Sequence, residues 1–400
     1  MTRPSTQNSV FAGLQPQAPD ALLSLIGLYR ADGRADRIDL GVGVYRDAEG
    51  RTPVLAAVKA AEAILLRDQQ SKSYLGPEGD LGFLERLKPI VFGPRDAGDI
   101  FGVQTPGGTG ALRLASELIA AARPGARIFM GTPTWPNHPQ IFEISGLEIV
   151  SYGYFDSQTQ GVRFVEMMSA LGTARRGDAV LLQACCHNPT GADLDADQWG
   201  QVADLIATRG LTPLIDLAYQ GLGLGLEPDA AGMRRVLDAA PDALLAYSCD
   251  KNFGLYRERV GALFAVSDSA ARLELAASNI KALARANWSM PPDHGAAVVR
   301  IVLEDEALTR MWRDELETMR SRIVEVRQAL AAAEPRLGAL AQQHGMFAQL
   351  PLNPAQVARM RDRHAVYMAG SGRINLAGLM PATVPLFATA YAACLQEEFA

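Results

Sequence analysis

The stretch ALLAYSCDKNFGLYRERVGALFAVS, residues 243–267, sets two apolar runs on either side of a lysine. ALLAYSC (243–249) and GALFAVS (261–267) are short and continuous, the pattern of strands buried on both faces. Lys251 follows the first run with only Asp250 between, and the basic turn RER (257–259) leads into the second. Surface lysines ordinarily sit among polar neighbours. A lysine at the mouth of two buried strands is either a neutralised ion-pair partner or a reactive amine whose pKa burial has lowered.

Outward from this stretch, ARIFMG (126–131), LEIVSYGYF (147–155), DAVLLQAC (178–185) and LTPLIDLAY (211–219) read as further buried strands. Helical patterns separate them. In GALRLASELIAAA, Leu114, Leu118 and Ala121 share a face, and Pro124-Gly125 stops the helix. Over 195–209, Trp199, Val202, Leu205 and Ile206 line one side, with Gly210 as the cap. The alternation predicts an α/β fold with a mostly parallel sheet flanked by helices.

Past residue 310 the pattern changes. Trp312, Leu316, Met319, Ile323, Val326 and Leu330 recur at helical spacing and predict one long amphipathic helix, ended by Pro335. Short strands near 345–350 and 373–376 and a last helix near 382–397 make a smaller α+β domain. The expected division is an N-terminal arm that joins the small domain (1–44), a large domain (45–310) and the small domain itself (311–400).

Apolar residues make up 48% of the 400-residue chain, enough for a sizeable core. The net charge of -6 and the scattered basic residues argue against a nucleic-acid partner. Without an apolar run of ~18–20 residues no membrane span is expected, and MTRPSTQNSVF at the N-terminus does not read as a signal peptide. Four cysteines, two of them adjacent, form no disulfide framework and suit a reduced, cytoplasmic chain. The five histidines lack ligand spacing, so no metal is expected.

Open α/β sheets bind ligands beyond the carboxyl ends of their strands, so the residues just past each apolar run are the candidates for chemistry. TPGGTGALR opens a helix, and Gly107, Gly108 and Thr109 can turn N–H groups on an anion, although tight turns need glycine in any case. CCHNPTG comes after the run 178–185; there Asn188 and Pro189 could be a turn and nothing more. Asp216, within an apolar run, must be paired or protonated: a structural salt bridge, or the partner of a buried cation. Tyr219, Lys251 and Arg259 complete the set. Pyridoxal 5′-phosphate suits all of it, since it needs a lysine for its imine, a carboxylate at its ring nitrogen, donors at its phenolate oxygen and a cup for its phosphate.

LGVGVYRD, SYLGPEG, TPGGTGALR, PTWPNH, CCHNPTG, DLAYQG, KNFGLYRERVGA, RANWSMPP and SGRINLAG occur in that order. On these motifs the chain resembles the class I aminotransferases of fold type I, specifically the aspartate and aromatic amino-acid subfamily, from about Phe11 to the last helix. The resemblance implies a large pyridoxal-phosphate-binding domain and a role for each matching residue. Lys251 would form the imine and shuttle the proton at Cα. Asp216, backed by His138, would keep the ring nitrogen protonated. Asn188 and Tyr219 would donate to the phenolate oxygen, and Trp135 would stack on the ring. Gly108, Thr109, Ser248 and Arg259 would hold the phosphate, joined by Tyr74 of the neighbouring subunit, which implies a homodimer with shared sites. Arg373 would grip the substrate's α-carboxylate, Arg285 of the neighbour its distal carboxylate, and Gly43, beside Val42, would lie on a closing loop. Trp135 and Asn188 would also face the substrate.

Four positions depart from that pattern. Asp250 stands where a serine is common, Cys249 where an aromatic residue often is, Gln183 where a histidine is common and Met290 where an asparagine is common. A carboxylate at 250 should repel a phosphate unless it turns to Arg257 or Arg259. The implied activity is ping-pong transamination between aspartate or an aromatic amino acid and 2-oxoglutarate. A strict aspartate aminotransferase, another pyridoxal-phosphate reaction (β-elimination, decarboxylation) and a non-catalytic binder are the alternatives.

Overall fold

All six apolar runs contain strands of one sheet, and a seventh strand, Ile100–Pro106, joins them in the computed structural model, which describes residues 10–16, 21–95 and 99–396. In chain order the strands are β1 (Ile100–Pro106), β2 (Arg127–Thr132), β3 (Glu148–Gly153), β4 (Ala179–Gln183), β5 (Thr212–Leu217), β6 (Asp242–Ser248) and β7 (Val260–Ser267). In space they run β1-β7-β6-β5-β4-β2-β3. β7 is antiparallel to both of its neighbours, and the remaining pairs are parallel.

Successive side chains of a strand point to opposite faces, and the sheet uses both. Val180, Ile215 and Leu245 enter one apolar cluster, while Leu181, Leu214 and Leu244 enter the other. Every residue of β7 is buried, which is why that run is continuously apolar. β3 departs from the expectation of a buried strand: only Tyr152 is buried along it. It is the last strand of the sheet, so part of its surface has nothing to pack against, and the tail of its run forms a separate two-stranded pair, Phe155–Asp156 with Gly161–Val162.

The helices obey their sequence signals. The helix Ala196–Arg209 opens on a reciprocal cap between Asp195 and Gln198 and closes on Gly210 in the left-handed conformation (φ 64°). The 28-residue helix Glu306–Ala333 buries the expected stripe from Trp312 to Leu330. It stops at Ala333, and Pro335 opens a 3₁₀ turn rather than closing the α-helix.

Beyond the sheet, Phe347–Gln349 pairs antiparallel with Arg373–Asn375, and Ile38–Asp39 pairs parallel with Val366–Tyr367. Ile38, Leu40, Ile374, Leu376 and Phe387 share a third apolar cluster, to which the long helix adds Val326 and Leu330. Residues 38–40 therefore pack with the C-terminal part of the chain. The expected N-terminal arm lies partly outside the described residues, at 1–9 and 17–20. The last helix is Val384–Gln396, and residue 397 also lies outside them. Among the described residues no helix is long and apolar enough to cross a membrane.

Candidate active site

The carboxyl ends of β1, β4, β5 and β6 and the start of β7 surround a cleft of about 290 Å³. Gly108, Thr109, Trp135, Asn188, Asp216, Tyr219, Ser248, Lys251 and Arg259 all line it. Nine positions spread over about 150 residues of chain thus meet at one end of one sheet.

β6 and β7 form a hairpin closed by Cys249 N–H donating to the Val260 carbonyl at 2.9 Å. Lys251 stands at the start of its loop. The amine lies 5.4 Å from the centroid of the Tyr219 ring and 4.0 Å from the Asp250 carboxylate, and the side chain is 19% exposed. Burial lowers its pKa; the charges of Asp250 and Asp216 oppose that shift and Arg259 adds to it. The result is an amine more easily deprotonated than a surface lysine.

Asp216, on β5, is in register with Gln183 of β4 and Ala246 of β6. His138 meets its Oδ2 through Nε2 at 3.0 Å, while His138 Nδ1 lies 2.7 Å from Thr134 Oγ1. The Trp135 ring sits edge-on to that imidazole at 5.3 Å. Asn188 Nδ2 donates to the Tyr219 hydroxyl at 3.3 Å, and burial raises the Tyr219 pKa, so the phenol stays protonated as a donor.

The end of the cleft at the helix Gly107–Ala122 is built from glycine. Gly107 has φ +69°, and a Cβ there would lie 2.4 Å from Arg259 Nη2. At Gly108 a Cβ would come within 3.1 Å of Ser248 Cβ. Both positions admit only hydrogen without something shifting, and together they leave the N-terminus of the helix Gly107–Ala122 open to the cleft. Asp250 also lines the cleft and is ion-paired with Arg259, not with Arg257. These residues match pyridoxal phosphate at three points: the amine, the His138-held carboxylate and the open helix end. The fourth, Arg259, already has a carboxylate partner.

Arg373 stands next to the cleft rather than in its lining. Its guanidinium lies over the Phe347 ring at 4.8 Å and donates to the Gly41 carbonyl at 2.8 Å. Phe347 meets Tyr219 edge-on at 5.9 Å and would lie 3.1 Å from a Cβ on Gly43, so one aromatic side chain ties Arg373, Tyr219 and the Gly43 loop together. Tyr74 and Arg285 are not brought into this cleft. Tyr74 is 93% exposed, and Arg285, also exposed, bonds Ser289 in the last turn of its helix. Met290 is likewise absent from the lining.

Gln183 has a part that spacing did not reveal. Its Oε1 accepts from Asn188 N–H at 2.9 Å, and its Nε2 donates to the Asn188 carbonyl at 3.1 Å and to Thr134 Oγ1 at 3.3 Å. One amide thus holds the Asn188 loop from both sides. The only sequence signal was the departure from a histidine. Cys249 is fully buried. Cys185, Cys186 and Asp229 form a buried cluster with ligand-type atoms within 4.8 Å of one another. There the carboxylate is taken up by the N–H groups of Gly221, Gly223 and Leu224, and burial pushes the Cys186 thiol up to about 11.

Fold and site together place a partly buried lysine amine beside the open end of a helix at the carboxyl edge of an α/β sheet. The sequence profile of the family "Aminotransferase class I and II" matches residues 35–390, and the chain belongs to that family. It is 55% identical over 379 residues to a tyrosine aminotransferase of Rhizobium meliloti (strain 1021), covering 93% of this chain and 97% of that protein. It is 41% identical over 382 residues to an aspartate aminotransferase of Salmonella typhi, covering 93% and 96%. A solved aromatic-amino-acid aminotransferase from Burkholderia pseudomallei, covalently bound to pyridoxal phosphate, superposes with a TM-score of 0.94 at 36% identity, over 97% of this chain and 100% of that one.

Proposed function

We propose that the chain moves an amino group between aspartate or an aromatic amino acid (tyrosine, phenylalanine) and 2-oxoglutarate, in a ping-pong cycle with pyridoxal 5′-phosphate. The observation that carries this reading is the Lys251 amine sharing one cleft with the Asp216–His138 pair. When bound, the cofactor supplies an electron-poor ring that stabilises negative charge at the substrate's Cα.

The side chains do the rest. Lys251, its pKa lowered, anchors the cofactor and then takes and returns the Cα proton on one face. Asp216, fixed by His138, holds positive charge at the ring nitrogen. Asn188 and Tyr219 offer donors to the phenolate oxygen, Trp135 packs against the ring, and Gly108, Thr109, Ser248 and Arg259 hold the phosphate. Arg373, steadied by Phe347 and the Gly41 carbonyl, takes the α-carboxylate.

Relatives named for tyrosine and for aspartate favour a dual preference over a strict aspartate enzyme. The exposure of Tyr74 and Arg285 outside the cleft supports a homodimer in which each serves the partner's site. In this reading residues 1–44 and 311–400 form a unit that closes on the large domain 45–310 through the Gly43 loop, and the enzyme is cytoplasmic. Product analysis with aspartate, tyrosine and 2-oxoglutarate tests the reaction. Glutamate and the matching 2-oxo acid are expected; pyruvate or carbon dioxide from aspartate as the primary product overturns it.

A further inference from the structure

We infer that Asp250 sets how tightly this enzyme holds its cofactor, by competing with the cofactor's phosphate for Arg259. The inference rests on the pyridoxal-phosphate reading above and adds a determinant within its binding cup.

The hairpin makes the pair. Ser248 is in register with Gly261, and Cys249 bonds Val260, so Asp250 and Arg259 stand opposite one another on the two legs of the loop. Asp250 is 4% exposed. Its Oδ2 is bonded to Arg259 Nη1 and lies 4.0 Å from the Lys251 amine. Its Oδ1 is buried without a hydrogen-bond partner. A phosphate dianion has no proton to give that oxygen, so binding leaves it unsatisfied next to further negative charge.

Charge balance points the same way. The cations lining the cleft are Lys251 and Arg259, and the carboxylates are Asp216 and Asp250. Formal charges therefore cancel before any phosphate enters. What the cup still offers is the helix N-terminus at Gly108 and Thr109, the Ser248 hydroxyl and the Arg259 nitrogens that Asp250 does not hold. A unit charge within several ångströms in a partly buried site changes binding by about tenfold or more, even with the screening that a two-fifths exposed guanidinium allows. The same ion pair joins the two legs of the loop, so it also supports the fold of protein stripped of cofactor. Asp250 thus weakens the loaded form and steadies the unloaded one.

The test uses full-length protein, its cofactor removed, as the parent chain and as Asp250→Asn and Asp250→Ser. Dissociation constants are measured by absorbance titration with pyridoxal 5′-phosphate and, separately, with pyridoxal, which lacks the phosphate. The phosphorylated cofactor should bind at least about tenfold more tightly to both variants, pyridoxal should gain much less because Asp250 reaches it only through the Lys251 amine, and the melting temperature of both cofactor-free variants should fall by about a few degrees. Unchanged or weaker binding of pyridoxal phosphate overturns the inference. So does a parallel gain for pyridoxal, or an unchanged melting temperature. Parent protein that takes up no cofactor on Lys251 at all contradicts the underlying functional reading instead.

Discussion

His138 Nε2 lies 3.0 Å from Asp216 Oδ2, and the imidazole is completely buried. A carboxylate at the end of an apolar strand is thereby held in one orientation, facing the cleft. Asp216→Ala should lower kcat/KM by about a hundredfold or more, because positive charge at the cofactor ring is then unsupported. His138→Asn should cost about tenfold and displace the pH at which the bound cofactor's absorbance changes. A loss in thermal stability with no spectral displacement would leave His138 a packing residue only.

In the proposed function Arg373 and Arg285, the latter serving the partner's site, would divide substrate recognition. Arg373→Lys should reduce kcat/KM about 10- to 100-fold for aspartate, glutamate, tyrosine and phenylalanine alike, since an ammonium cannot make the paired bonds of a guanidinium. Arg285→Leu should penalise only aspartate and glutamate. Steady-state kinetics with the four amino acids decides; equal losses for all four in Arg285→Leu contradict its assignment to the distal carboxylate.

Lys251 predicts a stability profile. Burial lowers its pKa from the ordinary 10.5. Between the lowered value and 10.5 the unfolded chain binds more protons than the folded one, so this residue's contribution to stability rises with pH through that window and is least below it. In cofactor-free protein Lys251→Met removes the penalty. The variant's gain in melting temperature should be largest on the acid side and shrink toward pH 10.5. A gain that grows with pH contradicts a desolvated amine.

Gln183→Ala leaves the Asn188 N–H without its acceptor. The expected loss is about 1–3 kcal/mol in urea unfolding, together with a lower kcat as the Asn188–Tyr219 pair loses its support. Unchanged unfolding would show that solvent replaces the amide.

Much of this architecture was legible because its strands are continuously apolar and its helices carry ordinary stops; β7 and the helix capped by Gly210 are examples. β1 was harder to see. Gly102 and Gln104 interrupt its apolar run, and only the fold shows that the Gln104 amide is consumed by Asp80 N–H and the Pro292 carbonyl. The site residues could be listed from strand ends, and the resemblance paired His138 with Asp216 and left Asp250 to Arg257 or Arg259; the other partners could not be read. That Asp250 takes Arg259 depends on hairpin register, and that Gln183 holds Asn188 depends on the path of a loop. Arg327 shows the limit most plainly. It lies one position past Val326 in a helix full of surface arginines, yet it is buried, and its guanidinium bonds the carbonyls of Leu340, His344, Gly345 and Phe347. It therefore anchors the segment that carries Phe347 to Arg373, and nothing in its spacing announces this.

Reduction with borohydride, followed by tryptic digestion and mass spectrometry, tests the central claim. Protein loaded with pyridoxal phosphate should yield one tagged peptide, residues 236–257, left uncut at Lys251 because the modified lysine no longer directs cleavage. A tag on any other lysine, or no tag on fully loaded protein, contradicts it.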